Sequence, residues 1–179
     1  LLKNKAYLPL GFLAEDALAQ ADFGETDPWQ MQNEVFSAAT GLETPVWRAI
    51  AGSQVVALGN GTQVTEQSTR GKLSYSECDE GAYVSYFFSP NDEGFVCVWL
   101  DLPKRNDFVV CINGVELYRE TISLPQMLAV GDVTPTDSVE VRVLCDAGES
   151  GTMTVTASQL DNDLFFRGYD ILNAAALNI

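Results

Sequence analysis

The sequence predicts a mainly β, α+β chain: an antiparallel β-sandwich of jelly-roll or galactose-binding-like type, with helices at the N- and C-termini. Three observations carry this. From Ser53 the apolar pattern has period two, in short runs rich in β-branched and aromatic residues and bounded by Gly, Pro, Asn or Asp. These runs follow one another without intervening helical segments, so neighbouring strands pair antiparallel rather than through helical crossovers. Both ends of the chain instead carry helical spacing.

The first helical signal, Phe12 to Gln20, holds good helix formers and predicts a short helix of two turns. The second is better marked. Asp27 is placed to cap a helix start, Pro28 suits the first helical position, and Gln30 stands where a capping-box partner belongs. Met31, Val35 and Ala38/Ala39 then repeat at helical spacing and Gly41 is a natural stop, so a helix is predicted over about 28–40. The predicted strands are Val55–Leu58, Lys72–Ser76, Ala82–Phe88, Phe95–Leu102, Phe108–Ile112, Val115–Arg119, Val139–Cys145 and Thr152–Ala157. Gly59-Asn60-Gly61 and Asn113-Gly114 are turn signals, and Pro103–Asn106 predicts a short hairpin loop. In Ser138–Val143 the valines share one face and the polar residues the other, the pattern of a strand with one wet side. Asp161 to Ile179 returns to helical spacing, with Asp161 or Asp163 as cap and Leu164, Gly168, Ile171/Leu172 and Ala175 on one stripe. The expected organisation is one compact unit: a helical segment over 1–50 packing on a sandwich over 51–159, and a helix over 160–179.

A chain of 179 residues can bury roughly 70% of its unfolded surface, so it needs neither metal nor disulfide to fold. Its longest apolar run, Phe95 to Leu100, is far shorter than the ~20 residues of a spanning helix. The formal charge of -15 repels nucleic acid and anionic lipid headgroups, which excludes both as direct partners. The absence of histidine excludes His-based nucleophile systems and His-ligated metal sites. Pro9 and Gly11 interrupt the first apolar stretch, which does not read as a secretory signal. With no initiator Met, the expectation is an excised piece of a longer protein.

The cysteines, Cys78, Cys97, Cys111 and Cys145, form no CxxC pair, which argues against a thiolate zinc site. On a Pro103–Asn106 hairpin, Cys97 and Cys111 would stand nearly opposite, within disulfide reach; the alternative is two small buried hydrophobes. Acidic clusters at Glu77/Asp79/Glu80, Asp92/Glu93 and Asp161/Asp163 lack calcium-loop spacing and read as solvated turns and caps. A structural calcium is the only cofactor they leave open. Tyr83, Tyr86 and Trp99 fall on central strands. They are candidates for a glycan platform, since sugar C–H faces stack on aromatic rings, although a sandwich core consumes such residues too. Asn60-Gly61-Thr62 fits the N-glycosylation pattern but is equally an Asn-Gly turn.

Asn4-Lys5-Ala6-Tyr7-Leu8-Pro9-Leu10-Gly11-Phe12, followed by Asp27-Pro28-Trp29-Gln30-Met31-Gln32-Asn33 and Ala39-Thr40-Gly41, resembles the YfhO family of bacterial polytopic membrane proteins. The outer-face region of that family carries an LPLGF segment and then an (N/D)P(F/W)..QN......TG segment. The C-terminal Leu160–Phe166 and Leu172-Asn173-Ala174 also resemble the family's helix after its sandwich. The resemblance implies a non-catalytic extracytoplasmic domain of a membrane protein similar to lipid-linked-sugar glycosyltransferases acting on cell-wall polymers of the lipoteichoic acid type. It implies as partners the membrane-embedded part of the same chain and a wall glycan or polymer. The family's catalytic carboxylates are expected in the membrane part, so no catalytic residue carries over, and its PYD.GW segment is missing here. The alternatives are a stand-alone carbohydrate-binding or surface adhesion module, and a carboxylate-based glycoside hydrolase.

Overall fold

The structure is a computed structural model that describes residues 16–20, 27–50, 57–59, 61–67 and 71–175. The LPLGF-containing stretch, Ser53–Val56 and Asn60 lie outside the described residues. The chain divides into two compact units, Leu1–Arg48 with Leu160–Ile179, and Ala49–Gln159.

The first unit holds α1 (Asp16–Gln20), α2 (Pro28–Thr40) and α3 (Asn162–Ala174). The Asp27 carboxylate accepts from the Trp29 and Gln30 amides, and Gly41 closes α2 in the left-handed conformation at φ 72°. Gln30 does not complete a capping box: its amide donates forward to Glu34 at 2.9 Å, an i,i+4 contact along the helix. The Asn33 side chain ties α2 to the chain that follows. It accepts from the Trp47 amide at 2.7 Å and donates to the Trp47 carbonyl at 2.9 Å, while the Trp29 and Trp47 rings meet at 5.4 Å. Asp161 caps α3 by accepting from Leu164 N–H at 3.0 Å. Gly168 permits close packing of α3 on α2, since a Cβ there would stand 2.4 Å from the Phe36 ring. Ile171, expected on the same stripe, is instead exposed.

In chain order the strands are β1 (Trp47–Ala49), β2 (Ala57–Gly59), β3 (Gln63–Gln67), β4 (Lys72–Ser76), β5 (Tyr83–Phe88), β6 (Gly94–Asp101), β7 (Asn106–Ile112), β8 (Val115–Ile122), β9 (Gln126–Val133), β10 (Val139–Leu144) and β11 (Gly151–Leu160). One sheet runs β3-β4-β11-β6-β9 and the other β2-β5-β10-β7-β8. From β4 onward successive strands mostly alternate between sheets, and the two central orders, β4-β11-β6-β9 and β5-β10-β7-β8, are those of a jelly roll. The predicted sandwich class is therefore present. Leu73, Val84, Leu100, Phe108, Val141 and Met153, all fully buried, interdigitate between the inner faces.

Three expectations are corrected. Pro103–Asn106 is not a hairpin loop, because β6 and β7 belong to different sheets and this segment crosses from one to the other. Strands β3 and β9 leave no period-two signal: β3 is largely polar, and β9 carries a bulge opposite Val96/Cys97 that breaks the alternation. The polar side of β10 is not uniformly wet, for Glu140 is only 6% exposed. The Asn113-Gly114 turn does join β7 to β8 as a hairpin, with both residues at positive φ (53° and 78°), the requirement of a type I′ turn.

Candidate functional site

The register of the second sheet lines up its outer-face side chains in rows. Tyr83 pairs with Gly59 on one side and Leu144 on the other, and Asp107 pairs with Thr121. Arg142 pairs with Val109, so Leu144, two residues on, comes beside Asp107 and continues the row. The row thus reads Gly59, Tyr83, Leu144, Asp107, Thr121. Beyond its far half a recess of about 200 Å³ opens, lined by Arg105, Asn106, Asp107, Thr121, Leu144 and Asp146. Within it the Thr121 hydroxyl donates to the Asp107 carboxylate.

The loop following β10 shapes the recess, and a buried carboxylate holds that loop. Glu149, with a side chain only 4% exposed, accepts from the Tyr75 hydroxyl, from the Asp146 amide at 2.7 Å and from the Asn106 side-chain amide at 3.2 Å. Asn106 Nδ2 also reaches the Leu144 carbonyl at 3.2 Å, and its buried Oδ1 has no partner among the described residues. Lys104 bridges the rim, 2.8 Å from Asp146 and 3.5 Å from Glu149. Burial, and then the hydrogen bond to Glu149, push the Tyr75 hydroxyl well above the usual phenol range, so it remains a donor. Arg105 has neither ion pair nor hydrogen bond among the described residues, and its five donors are open to a ligand.

The next row on the same face is more closed. Ser85 donates to Glu140 at 2.6 Å, and Arg142 lies 2.8 Å from the same carboxylate oxygen. The Arg142 guanidinium also stacks 5.0 Å from the centre of the Tyr83 ring. Tyr83 lies directly over Gly59, where a Cβ would come within 2.2 Å of the ring. Its body therefore covers the edge-strand glycine while Arg142 covers a face, leaving only part of the ring to a ligand.

The residues proposed from sequence are not brought together. Tyr86 points inward, 5% exposed, and its ring is a core element rather than a platform, because strand alternation places it with Val84 and Phe88. Trp99 is half-buried on the outer face of the other sheet, between Thr156 and Met127, so it shares no surface with Tyr83. Cys97 and Cys111 also stand on different sheets and form no disulfide. Burial pushes the Cys97 thiol up to about 11, which leaves it unreactive. Among the described residues no group of three or more His, Cys, Asp or Glu is placed to hold a metal ion. Sequence reading missed Arg105, Asn106, Asp107, Thr121 and Asp146. The composition of Pro103–Asn106 signals a loop but not that it crosses between sheets.

No family model and no curated protein matches the chain. Solved structures similar to it include a family 35 carbohydrate binding module from Clostridium thermocellum, at 9% identity over 57% of this chain and 90% of that one, with a TM-score of 0.40. A family 35 module from Paenibacillus barcinonensis is similar at 12% identity, over 62% of this chain and 97% of that one, with a TM-score of 0.40. The lectin binding domain of Lectinolysin, complexed with Lewis b, is similar at 13% identity, over 63% and 96%, with a TM-score of 0.43. The chain described here is itself a two-sheet antiparallel β-sandwich with jelly-roll strand order.

Proposed function

We propose that the sandwich is a non-catalytic glycan-binding module whose site is the recess at the end of the second sheet. The observation that carries this reading is the lining itself. Arg105, Asp107, Thr121 and Asp146 bring donors and acceptors to a space of about 200 Å³, the Thr121 hydroxyl donating to Asp107 and keeping its acceptor side, and Leu144 supplies one apolar contact. Vicinal hydroxyls of a sugar, each both donor and acceptor, fit such a mixed lining. The volume is below the roughly 300–1,000 Å³ of drug-sized sites, which suits a single sugar unit or chain end. A net charge of -15 disfavours a polyanionic polymer, so the ligand class is a neutral glycan.

A hydrolase reading finds less support at this place. Asp146 is paired with Lys104 at 2.8 Å and its side chain is 79% exposed, whereas a glycosidase acid needs a site that keeps it protonated. The membrane setting implied by the N-terminal motifs is a further part of the proposal: the module would present glycan to a membrane-embedded body of its own chain. No helix among the described residues is long and apolar enough to cross a membrane. A hydropathy profile of the full reading frame tests that setting.

The binding proposal is tested by calorimetric titration with neutral mono- and oligosaccharides and, separately, with an anionic wall polymer. Expected is a Kd on the order of 1 mM or tighter for a neutral glycan, weakened about 3–10-fold in Arg105→Ala and in Thr121→Ala as one hydrogen bond is lost. Absence of binding at millimolar ligand, or binding insensitive to both substitutions, overturns it.

A further inference from the structure

The cysteine pair that the sequence suggested is not the pair that the fold brings together. Cys78 follows β4 and Cys145 follows β10, and both are buried, at 3% and 6% exposure. Their backbones are fastened within one loop cluster. Cys145 N–H donates to the Ala82 carbonyl at 2.9 Å, continuing the β5–β10 ladder by one residue, while Gly148 N–H donates to the Cys78 carbonyl at 2.6 Å and Cys78 N–H reaches the Glu149 carbonyl. Both side chains belong to one buried cluster, where the Cys145 thiol faces the Val143 carbonyl at 4.0 Å and the neighbouring Cys78 thiol bears on its ionisation. From these contacts we infer that Cys78 and Cys145 are a disulfide site, reduced in this structure and closed when the chain folds in an oxidising compartment.

The chemistry balances as two thiol–disulfide exchanges. A low-molecular-weight disulfide RSSR is attacked by one cysteine thiolate, giving a mixed disulfide and releasing one RSH. The second cysteine, having lost its proton, attacks the protein sulfur of that mixed disulfide and expels the second RSH. Both protein thiols are oxidised, RSSR is reduced, and both thiol protons end on the RSH products. Burial, then the neighbouring Cys78 and Glu149, hold the Cys145 thiol far above its ordinary range. The thiolate fraction in the folded state is therefore small, and closure proceeds during folding or on opening of the loop, faster at higher pH.

The bridge has a structural consequence at the recess. Cys145 immediately precedes Asp146, and Glu149 lies in the same loop, so the bond would anchor the wall of the candidate site to the β4–β5 loop. The closed loop from residue 78 to residue 145 is long, the case in which a cross-link most restricts the unfolded chain.

The test is refolding of the full chain in a mixture of oxidised and reduced glutathione, followed by thiol counting and peptide mapping under non-reducing conditions. Expected are a mass lower by two hydrogens, two remaining free thiols assigned to Cys97 and Cys111, and a 78–145 linked peptide. The thermal midpoint should rise by on the order of 10 °C, lost on adding reductant. As a control for folding, Cys78→Ser/Cys145→Ser should keep the circular dichroism of the reduced wild type and show no reductant-sensitive shift. Four free thiols after equilibration, or a linked peptide containing Cys97 or Cys111, overturns the inference.

Discussion

Replacing Glu149 by alanine tests how the loop that walls the recess is held. In the folded chain its carboxylate is a buried acceptor for the Tyr75 hydroxyl, the Asn106 amide at 3.2 Å and the Asp146 amide at 2.7 Å, with Lys104 at 3.5 Å. Truncation strands the Tyr75 hydroxyl and one Asn106 donor in a buried place, each costing about 1–3 kcal/mol, while the Asp146 amide regains water at little cost. Glu149→Ala is therefore expected to destabilise by about 3–5 kcal/mol. Tyr75→Phe, which removes a donor but leaves the carboxylate its other partners, should cost only about 1.5 kcal/mol. Because the two groups share one hydrogen bond, the double mutant should be less destabilised than the sum, with a coupling of about 1–2 kcal/mol. Urea unfolding followed by tryptophan fluorescence, with slopes compared across the set, supplies the free energies. A Glu149→Ala cost below about 1 kcal/mol, or strict additivity with Tyr75→Phe, would refute the account of this carboxylate as the loop's anchor.

Tyr86→Phe should be neutral or stabilise by up to about 1 kcal/mol, because its hydroxyl is buried without a partner among the described residues; a clear loss of stability in urea would reveal a bond the fold does not show. Gly168→Val drives a side chain into the Phe36 ring, 2.4 Å from the first added carbon, and should cost about 1–3 kcal/mol; unchanged thermal unfolding would mean that α2 and α3 are not packed at this point. Asn113→Val/Gly114→Val places two β-branched residues at positive φ and should lower stability by about 2–4 kcal/mol, whereas Asn113→Gly keeps the turn and loses only the exposed side-chain bonds to Asp137 and Ser138, at about 1 kcal/mol; equal losses from both would contradict the type I′ turn. Burial first, then Glu120 and Cys97, push the Tyr118 hydroxyl up to about 12 from its ordinary 10.0. Neutral Tyr118 thus contributes stability that is fully present below pH 10 and is lost as pH rises towards about 12. Phenolate absorbance of the wild type minus that of Tyr118→Phe should show this late titration, and a midpoint near the ordinary value would count against the burial.

Local chemistry fixed what the sequence could say. The α2 cap at Asp27, its stop at Gly41, the Asn113-Gly114 turn, the exact span of β4 and the alternating valines of β10 each depend on residues within a few positions of one another. Period-two patterning without helical crossovers was likewise enough for an antiparallel sandwich. Which sheet each strand joins was decided elsewhere: Pro103–Asn106 has the composition of a tight loop whether it turns back or crosses over, and only packing of Leu100 and Phe108 from opposite layers into one core selects the crossing. That single choice parts Cys97 from Cys111. It also places Arg105 and Asp107 beside Thr121 and Asp146, residues distant in the chain whose meeting leaves no periodic trace. Side-chain alternation and turn propensity are local energies, legible one segment at a time, whereas the recess and the Cys78–Cys145 contact arise from long-range strand pairing that exists only once two sheets have closed over a common interior.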